Sequence, residues 1–524
     1  MSNRSNGFSF PPPRLIRDFP ARLPVVPMIL ALLGAWFGFA NPMLHVPAAI
    51  VLLPMALIMA ATNAQTGREA ARLGFLTALP AYSAALYWLA IPVHDHGGLP
   101  WILALPCPVL VGAVLAAYAS VFCVLSHRAK KADHVLGSVF AAASWTGLEL
   151  ARNTLLTGFP WLTLSSALSP WPWAIGLSAW IGAFGLSGIL VGICHALVMG
   201  RGPWKLAAIP LAVVCLLPAM VRQPAPPSNT ASAVLIQGNI DQGQKWEPKL
   251  QSSILKTYLD LSHEAVAAHH PDIVVWPETA MPLYYQDGGP LAESVRATVD
   301  ALNTPFMMGS PAYSSPQGKN QPKFVLHNRA YLLDEKGQTL SWYDKEHLVP
   351  FGEYVPLGQW LPFVTKLVPG DYEFRPGANY APLRTGKLSL GTLICYEAIF
   401  PELAQKRVEQ GANVLVNISN DAWFGHSSAP RQHLHLAILR AVEQNRSILR
   451  ATNTGITTFI APTGKLHEQS EPFAPNFLHK GDIPLLTGTT FYHDHFQLVH
   501  WSFLALIAGL FPVVGHSRKY HPHK

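Results

Sequence analysis

Residues 388–397 read LSLGTLICYE, a nearly continuous apolar run that ends in a cysteine and a glutamate. Such runs are typical of β-strands that are buried on both faces. Further runs rich in Val, Ile and Leu lie at 233–238, 272–276, 305–309, 329–334 and 413–418, with helical patterns between them, for example at 250–269 and 431–445. Strands that alternate with helices predict an α/β domain. We place it at residues 223–495, after a proline-rich linker at 218–228.

The rest of the chain is much more apolar than this middle part. Charged residues make up 13% of the 524 residues and hydrophobic residues 50%, whereas typical soluble domains have about 25% charged residues. The apolar residues concentrate at 24–221 and 496–515. We therefore predict an N-terminal membrane domain at 1–222, and a C-terminal membrane helix with a cytoplasmic tail at 496–524.

Eight stretches are long and apolar enough to predict membrane-spanning helices. They lie near 24–40, 46–61, 73–93, 101–125, 135–151, 172–199, 204–221 and 496–515. The first two are short, and a re-entrant pair, or a signal anchor with a buried helix, is an alternative for them. A cleavable signal peptide is disfavoured because no clear A-x-A site follows the first apolar run.

Basic residues alternate between the predicted loops. Lys and Arg cluster in both termini and in the loops after the second, fourth and sixth spans: Arg4, Arg14, Arg17, Arg22, Arg68, Arg72, Arg128, Lys130, Lys131, Arg201, Lys205, Arg518, Lys519 and Lys524. The alternate short loops, 41–45, 94–100 and 152–171, contain Arg152 alone. Because an excess of Lys and Arg marks the cytoplasmic face, we predict cytoplasmic termini and an α/β domain outside the cytoplasm.

Two classes of partner are disfavoured by where the residues lie. The net charge of +7 could suggest nucleic acid, but the basic residues lie mostly beside apolar segments and form no long basic stripe. His and Cys residues show no metal-site spacing in the sequence, and His94 and His96 are interpreted as interfacial polar residues. We therefore predict no metal, no cofactor and no nucleic-acid partner.

The predicted span at 135–151 contains Glu149, and Arg152 follows at a spacing that places both on one helix face. The motif TGFPW comes next, at 157–161. Ionisable residues near membrane depth are costly and are usually paired. Glu149 and Arg152 are therefore either a structural pair at the interface, which we favour, or a polar feature near a substrate entrance.

Cys395 is the one cysteine of five that falls in the predicted exported domain, since Cys107, Cys123, Cys194 and Cys215 fall in predicted spans. In an oxidising compartment, paired cysteines form disulfides. A lone cysteine is either a buried inert thiol or a reactive one, and the number of cysteines alone does not decide between these two possibilities.

Three polar clusters follow strand-like runs, and their chemistry is complementary. Glu278 ends the run DIVVW, Lys345 precedes an unusual loop of aromatic, Pro and Gly residues, and Cys395 stands at a strand-to-helix turn. Glu278 alone would usually be a solvated loop acid, and Lys345 a surface charge. Together they supply a thiol nucleophile, a carboxylate that can take its proton, and an ammonium that can stabilise an oxyanion. Their joint order predicts an acyl-transfer site.

The motifs WPE, DKEHLVPFGEYVP, CYE and NDAWFG resemble those of the carbon–nitrogen hydrolase, or nitrilase, superfamily. Within this superfamily, the chain resembles the apolipoprotein N-acyltransferase family in its apolar segments and in the motifs QGNIDQGQKW and TGFPW. The resemblance covers nearly the whole chain. It implies a nitrilase-like αββα sandwich at 223–495, in addition to an all-α bundle of about eight transmembrane helices.

The resemblance also implies roles for individual residues. Glu278 would be the general base, Lys345 would stabilise the oxyanion, and Cys395 would carry the acyl group as a thioester. Supporting or substrate-binding roles would fall to Glu353 as a second carboxylate, to Tyr396 and Glu397 in shaping the site, and to Trp246, Trp423 and Phe424 as lid and lipid-contacting residues. For the two tryptophans, a place in the core is the alternative.

The implied activity is a ping-pong acyl transfer. The donor would be a phospholipid, phosphatidylethanolamine through its sn-1 chain, and the acceptor the α-amine of the S-diacylglyceryl cysteine of an apolipoprotein. The enzyme would lie in a bacterial inner membrane, with its catalytic domain on the periplasmic side. Two alternatives remain: a membrane-tethered amidase or nitrilase that transfers to water, and a non-enzymatic lipoprotein chaperone or transporter that keeps the fold.

Overall fold

Two six-stranded sheets form the centre of the α/β part in the computed structural model, which describes residues 23–200, 229–316, 323–356 and 374–515. The strands are β1 Asn229–Gln237, β2 Ile273–Val275, β3 Phe306–Ser314, β4 Val325–Leu333, β5 Thr339–Asp344, β6 Leu383–Thr385, β7 Leu388–Ile394, β8 Val414–Ser419, β9 Ile448–Thr452, β10 Thr458–Ile460, β11 Leu466–Gln469 and β12 Asn476–Leu485. The first sheet has the order β12-β1-β2-β3-β4-β5 and the second β11-β10-β9-β8-β7-β6.

Helices account for most of the remaining described residues. They are α1 Val25–Gly38, α2 Leu52–Asn63, α3 Gly67–Ala85, α4 Ala90–Asp95, α5 Trp101–Ala104, α6 Pro106–Ala129, α7 His134–Thr154, α8 Leu164–Ala167, α9 Pro172–Ile175, α10 Ser178–Met199, α11 Gln251–His269, α12 Pro290–Leu302, α13 Pro401–Glu409, α14 Ala429–Gln444, α15 Phe491–Asp494 and α16 Phe496–Val514. A one-turn 3₁₀ helix, Cys395–Ile399, follows β7 directly.

The two sheets pack face to face, and helices cover their outer faces. Leu235 and Met307 of the first sheet share a buried core with Leu390 and Ile418 of the second. Helices α11 and α12 pack on the outside of the first sheet, and α13 and α14 on the outside of the second. Both faces of the central strands are therefore buried, which is why they read as continuous apolar runs. The predicted αββα sandwich is confirmed.

The carboxyl ends of parallel strands meet at one end of the sandwich. Strands β1, β2 and β3 run parallel in one sheet, and β7, β8 and β9 in the other. Asn420, directly after β8, donates its backbone N–H to Glu278, which follows β2. Loops from both sheets therefore converge there, as they do at the ligand-binding edges of α/β folds.

The predicted bundle of about eight spanning helices is not confirmed. Among the described residues, Trp101–Ala129, Ser178–Met199 and Phe496–Val514 are long and apolar enough to cross a membrane. Gly67–Ala85 and Tyr87–Asp95 would be a fourth span if taken together, but a bend of 60° separates them. Val25–Gly38 and Pro47–Asn63 are apolar but shorter, which agrees with the short spans expected there. The predicted span at 204–221 and the basic termini lie outside the described residues.

Helix α7 covers the predicted span at 135–151 but is not among the apolar candidates. Its polar residues lower its hydropathy, and they are buried instead of facing lipid. Arg152 lies 3.7 Å from the Glu149 carboxylate, which also accepts a hydrogen bond from Trp145 Nε1 at 2.9 Å. The two charged residues do pair, and the helix packs this pair inside the protein.

Helix α14 joins the α/β sandwich to the apolar helices. It packs against α10, and its Gln432 side chain accepts hydrogen bonds from the indole N–H groups of Trp88, at 3.0 Å, and Trp161, at 2.8 Å. Asn153, at the end of α7, donates to the carboxylate of Glu402 at 3.0 Å. The contacts of Gln432 are buried, and one hydrophobic core contains residues of both parts, so the two parts form one continuous packed interface.

Candidate active site

Glu278 lies three residues beyond the end of β2 and is buried. Both oxygens of its carboxylate accept hydrogen bonds: Oε1 from Asn328 Nδ2 at 2.6 Å, and Oε2 from the backbone N–H of Asn420 at 2.8 Å. The next residue, Thr279, has φ +51°, so the chain turns sharply here. Glu278 is therefore a fixed, buried acceptor and not a solvated loop acid.

Lys345 directly follows β5, and its side chain is almost fully buried between two carboxylates. Its Nζ lies 3.0 Å from Glu353 Oε2 and 3.7 Å from Glu278 Oε1. Burial disfavours the ammonium, but Glu353 and Glu278 outweigh burial and raise the pKa of Lys345 above its ordinary value. A buried, permanently charged cation therefore stands beside Glu278.

Glu353 is the second carboxylate of the cluster and is held from two sides. Asn328 Nδ2 donates to Glu353 Oε1 at 3.0 Å as well as to Glu278, and the backbone N–H of Val349 donates to Glu353 Oε2 at 2.8 Å. Asn328 belongs to β4, and its backbone carbonyl accepts a hydrogen bond from the Lys345 N–H at 2.8 Å. The pairing of β4 with β5 thus fixes the distance between the cation and both acids.

Cys395 is the first residue after β7 and begins the 3₁₀ helix Cys395–Ile399. Its φ of +53° is rare for a residue with a side chain. Strained backbone of this kind is common at turns in active sites. Burial and the negative charge of Glu278 raise the pKa of its thiol, whereas Lys345 lowers it. The thiol therefore lies within the electrostatic reach of both predicted partners and is neutral at rest.

Glu397 links the segments that carry Lys345 and Cys395. Its Oε2 accepts the backbone N–H of Ile394 at 2.6 Å, and its Oε1 accepts those of Glu346 at 2.6 Å and His347 at 3.0 Å. Tyr343 OH donates to the same Oε1 at 2.7 Å. Glu397 is fully buried, so its position behind the cluster is structural.

Tyr396 connects the cysteine turn to the apolar helices. Its hydroxyl donates to the backbone carbonyl of Gly158, in the TGFPW motif, at 3.0 Å. Its ring packs edge-on against Phe400. Tyr396 therefore fixes the Cys395 turn against the apolar helices.

The three predicted lid aromatics have different surroundings. Trp246 is 44% exposed, so it is not a core residue. Trp423 is partly buried, with its ring edge-on to that of His96 at 4.8 Å, and Phe424 packs on Trp88 at 5.0 Å. Trp246 is thus accessible, whereas Trp423 and Phe424 are both partly buried and both contact aromatic rings of the N-terminal helical part.

The cluster has the parts that acyl transfer through sulfur requires. A neutral thiol has a carboxylate and a charged ammonium within electrostatic reach, and these are the groups that could take its proton and stabilise an oxyanion. Groups of three or more His, Cys, Asp or Glu residues that could hold a metal ion do not occur among the described residues.

Comparison with known proteins identifies the family. The model of the apolipoprotein N-acyltransferase N-terminal domain matches residues 31–196, and the carbon–nitrogen hydrolase model matches 233–484. The apolipoprotein N-acyltransferase of Geobacter metallireducens is 38% identical over 482 residues, covering 89% of this chain and 91% of that protein. The chain belongs to the apolipoprotein N-acyltransferase family. The relative from Nitrosomonas europaea is 32% identical over 466 residues, covering 84% of this chain and 88% of its own.

Solved structures that are similar to this family member match about half of the chain. A mutant of the amidase from Nesterenkonia sp. AN1, showing the result of Michael addition of acrylamide at the active site cysteine, has a TM-score of 0.37 and 18% identity. The match covers 52% of this chain and 99% of the amidase. A carbon–nitrogen hydrolase from Helicobacter pylori G27 has a TM-score of 0.35 and 16% identity, covering 53% and 94%.

Several polar residues of this N-acyltransferase family member were not predicted from sequence. Asn328, which donates to both carboxylates, has no distinctive signal in the sequence. Lys245 is fully buried with its Nζ 3.4 Å from the Glu278 carbonyl, and burial lowers its pKa to about 8, opposed by Glu278. His433 contacts the Cys395 carbonyl. Lys245 directly precedes Trp246 in the QKW motif, and this position was the one sequence signal among these three residues.

Proposed function

We propose that the protein transfers an acyl chain from a phospholipid, through a Cys395 thioester, to the N-terminal amine of the S-diacylglyceryl cysteine of an apolipoprotein. Membership of the family supports this activity. The observation that carries the assignment of residues is the buried Glu278–Lys345–Glu353 cluster beside the strained Cys395 turn. No metal or cofactor takes part in the proposed chemistry.

The first half-reaction forms the thioester. Glu278 takes the thiol proton while the sulfur of Cys395 attacks the ester carbonyl, and Lys345 stabilises the resulting oxyanion. The C–O ester bond then breaks, and Glu278 returns its proton to the departing alkoxide, so that a lysophospholipid leaves. Fixation of both Glu278 oxygens by Asn328 and Asn420 supports this role, since a general base must be held in position.

The second half-reaction transfers the acyl group to nitrogen. The acceptor's neutral amine attacks the thioester carbonyl, Lys345 again stabilises the oxyanion, and the C–S bond breaks. Glu278 takes the proton that the nitrogen loses and passes it to the Cys395 sulfur, which restores the resting thiol. The products are an amide and a free enzyme, so the cycle is ping-pong.

Glu353 has a supporting role in this scheme. It contacts Lys345 more closely than Glu278 does, at 3.0 Å against 3.7 Å. It therefore holds the ammonium in place and keeps it charged, while Glu278 remains available to exchange protons. Asn328 donates to both carboxylates and so holds them at a fixed separation.

We further propose the membrane topology expected from the sequence: a domain at 1–222, a catalytic domain at 223–495, and a closing helix with its tail at 496–524. About eight spans would place both termini in the cytoplasm and the catalytic domain on the periplasmic side of the inner membrane. The contacts of Tyr396 with Gly158 and of Gln432 with Trp88 support a catalytic centre held against the bilayer surface. Acyl chains then need not enter water, which costs about 0.8 kcal/mol per CH₂.

Trp246, Trp423 and Phe424 are proposed to border the path of the lipid chains. The exposure of Trp246 supports this, because exposed tryptophans are enriched at the bilayer interface. The packing of Phe424 on Trp88 would keep the NDAWFG segment close to the lipid surface.

Mass spectrometry of the intact protein tests the proposal. Purified protein is incubated with phosphatidylethanolamine, and we expect one acyl adduct on the Cys395 peptide, which a synthetic diacylglyceryl-cysteine lipopeptide then removes as an N-acyl product. Cys395→Ala should give no adduct, whereas Cys107→Ala, at another partly buried cysteine, should behave as wild type. Hydrolysis of small amides without lipid-dependent acylation would instead favour the amidase alternative.

A further inference from the structure

The backbone carbonyl of Cys395 is held by two side chains that the proposed chemistry does not use. His433 Nε2 lies 3.1 Å from this oxygen, and Asn417 Nδ2 donates to it at 3.4 Å. His433 belongs to α14 and Asn417 to β8, and both are buried. The peptide after the nucleophile is thus fixed by groups outside the Glu278–Lys345 cluster.

A buried ion pair orients the His433 ring. Asp421 Oδ2 lies 2.9 Å from an Arg450 guanidinium nitrogen, which is also 3.2 Å from His433 Nδ1, and Asp421 Oδ1 lies 3.1 Å from that ring nitrogen. The Cys395 carbonyl can only accept, so its contact places the ring proton on Nε2, and Nδ1 then accepts from Arg450; Asp421 holds Arg450 in place and makes no hydrogen bond to the ring. This tautomer is assigned from the hydrogen-bond network. Burial and Arg450 lower the pKa of His433, which keeps the ring neutral.

The strained backbone of Cys395 explains why such a hold matters. A side-chain-bearing residue at φ +53° persists only when its surroundings over-determine it. The direction of the Cys395 Sγ depends on this φ, so release of the carbonyl would let the turn relax and move the sulfur away from Glu278. Misplacement by about 1 Å can lower a rate by ~10²-fold.

The membrane-domain loop 157–161 contacts this arrangement twice. The ring of Trp161 lies 5.6 Å from the ring of His433, and Gly158 accepts the hydroxyl of Tyr396, the residue after Cys395. The loop therefore supports the nucleophile's turn at two points. The TGFPW motif thus has a role in supporting the Cys395 turn.

We propose that His433 is a positioning residue, which holds the Cys395 peptide through Nε2 and is itself braced by the Asp421–Arg450 pair and by Trp161. The proposal rests on the proposed function, in which the Cys395 sulfur is the acyl carrier. His433 exchanges no proton with substrate in this role. Its effect is therefore on the rate of thioester formation and not on phospholipid binding.

Two substitutions separate this role from simple packing. His433→Gln keeps an N–H donor close to the position of Nε2, whereas His433→Leu keeps bulk and removes the donor. We expect His433→Leu to lower the kcat of Cys395 acylation by about 10- to 100-fold with an unchanged KM for phospholipid, and His433→Gln to restore most of the rate. His435→Leu is the matched control, because His435 is also buried on α14 but stacks on His45.

The outcomes distinguish the failure of this inference from the failure of the proposed function. Wild type that forms no Cys395 adduct would sink the proposed function itself. Active wild type with equal rates for His433→Leu and His433→Gln would overturn the positioning role, as would a loss of rate in His435→Leu as large as that in His433→Leu. Thermal unfolding of every variant identifies any that fails to fold. If His433→Leu does not fold, the acylation rate of His433→Gln tests the positioning role by itself.

Discussion

The Glu397 carboxylate accepts the backbone N–H of Ile394 at 2.6 Å, and so holds the residue that immediately precedes Cys395. Its other oxygen accepts the N–H of Glu346, the residue that follows Lys345, also at 2.6 Å. One buried carboxylate thus fixes the spacing between the two segments that carry the proposed nucleophile and cation. Through this cross-link, a side chain with a structural place in the fold would affect the proposed reaction.

Glu397→Gln should damage both stability and acylation. An amide nitrogen in place of Oε2 would face the Ile394 N–H, so two donors would oppose each other in a buried site. We expect a loss of about 1–3 kcal/mol in the free energy of unfolding and a ~10²-fold slower formation of the Cys395 adduct. Denaturation and adduct kinetics measure the two effects. The exposed Glu335→Gln should change neither, and a stable, fully active Glu397→Gln would contradict the structural role.

Lys345→Met should abolish the stabilisation of the oxyanion. Glu278 and Glu353 would then be left without their shared cation, and acylation should fall by at least ~10²-fold. Single-turnover measurement of adduct formation reports this step directly. Lys256→Met is a suitable control because Lys256 forms an exposed pair with Asp260 at 2.7 Å and has no part in the proposed chemistry. Comparable losses in the two variants would argue against a specific role for Lys345.

The pH dependence of alkylation tests the resting state of the thiol. Burial and Glu278 raise the pKa of Cys395, so little thiolate is present at neutral pH. The rate of iodoacetamide modification at Cys395 should therefore keep rising from about pH 6 to about pH 10, beyond the ordinary thiol range. Peptide mapping of the modified protein gives the rate at this one cysteine. A plateau near neutral pH would mean that the resting form is a thiolate and that no general base is needed.

The central strands, and the places of Glu278, Lys345 and Cys395 just after strands, were predictable because their signals are local. Glu278 and Cys395 stand where apolar runs end, and a run buried on both faces can be recognised in a short window. The strand limits were less accurate: β3 and β4 extend beyond the predicted runs at 305–309 and 329–334. Strands β6, β9, β10, β11 and β12 were missed. Three of these are only three or four residues long, β9 buries Arg450 in its centre, and β12 contains Gly, Pro and Lys.

Long-range contacts could not be predicted from the sequence. Asn328 reaches Glu278 across fifty residues through the pairing of strands in the first sheet, and His433 reaches Cys395 through the docking of α14. Neither residue has a distinctive spacing from its partner. The number of spans was uncertain for a related reason: α7 buries Glu149 and Arg152 against protein, so hydropathy alone does not describe its surroundings.

Asp421 should make the folded state sensitive to acid. Burial disfavours its charge, but the positive charge of Arg450 and the hydrogen bond from Ser419 outweigh burial and lower the pKa of Asp421 from 3.8 to about 2. A lowered pKa in the folded state stabilises the protein above the unfolded pKa of about 4, and this contribution, on the order of 2 kcal/mol, is lost as the pH falls toward about 2. The lowered pKa of His433 acts at higher pH, because the stability that it contributes is lost as the pH falls below about 6.5.

The free energy of unfolding, measured between about pH 5 and about pH 3, should therefore fall more steeply with decreasing pH for wild type than for Asp421→Asn. Asp260→Asn, at an exposed carboxylate, should keep the wild-type slope, and an equally steep Asp421→Asn would show that the ion pair behind His433 does not hold the site together.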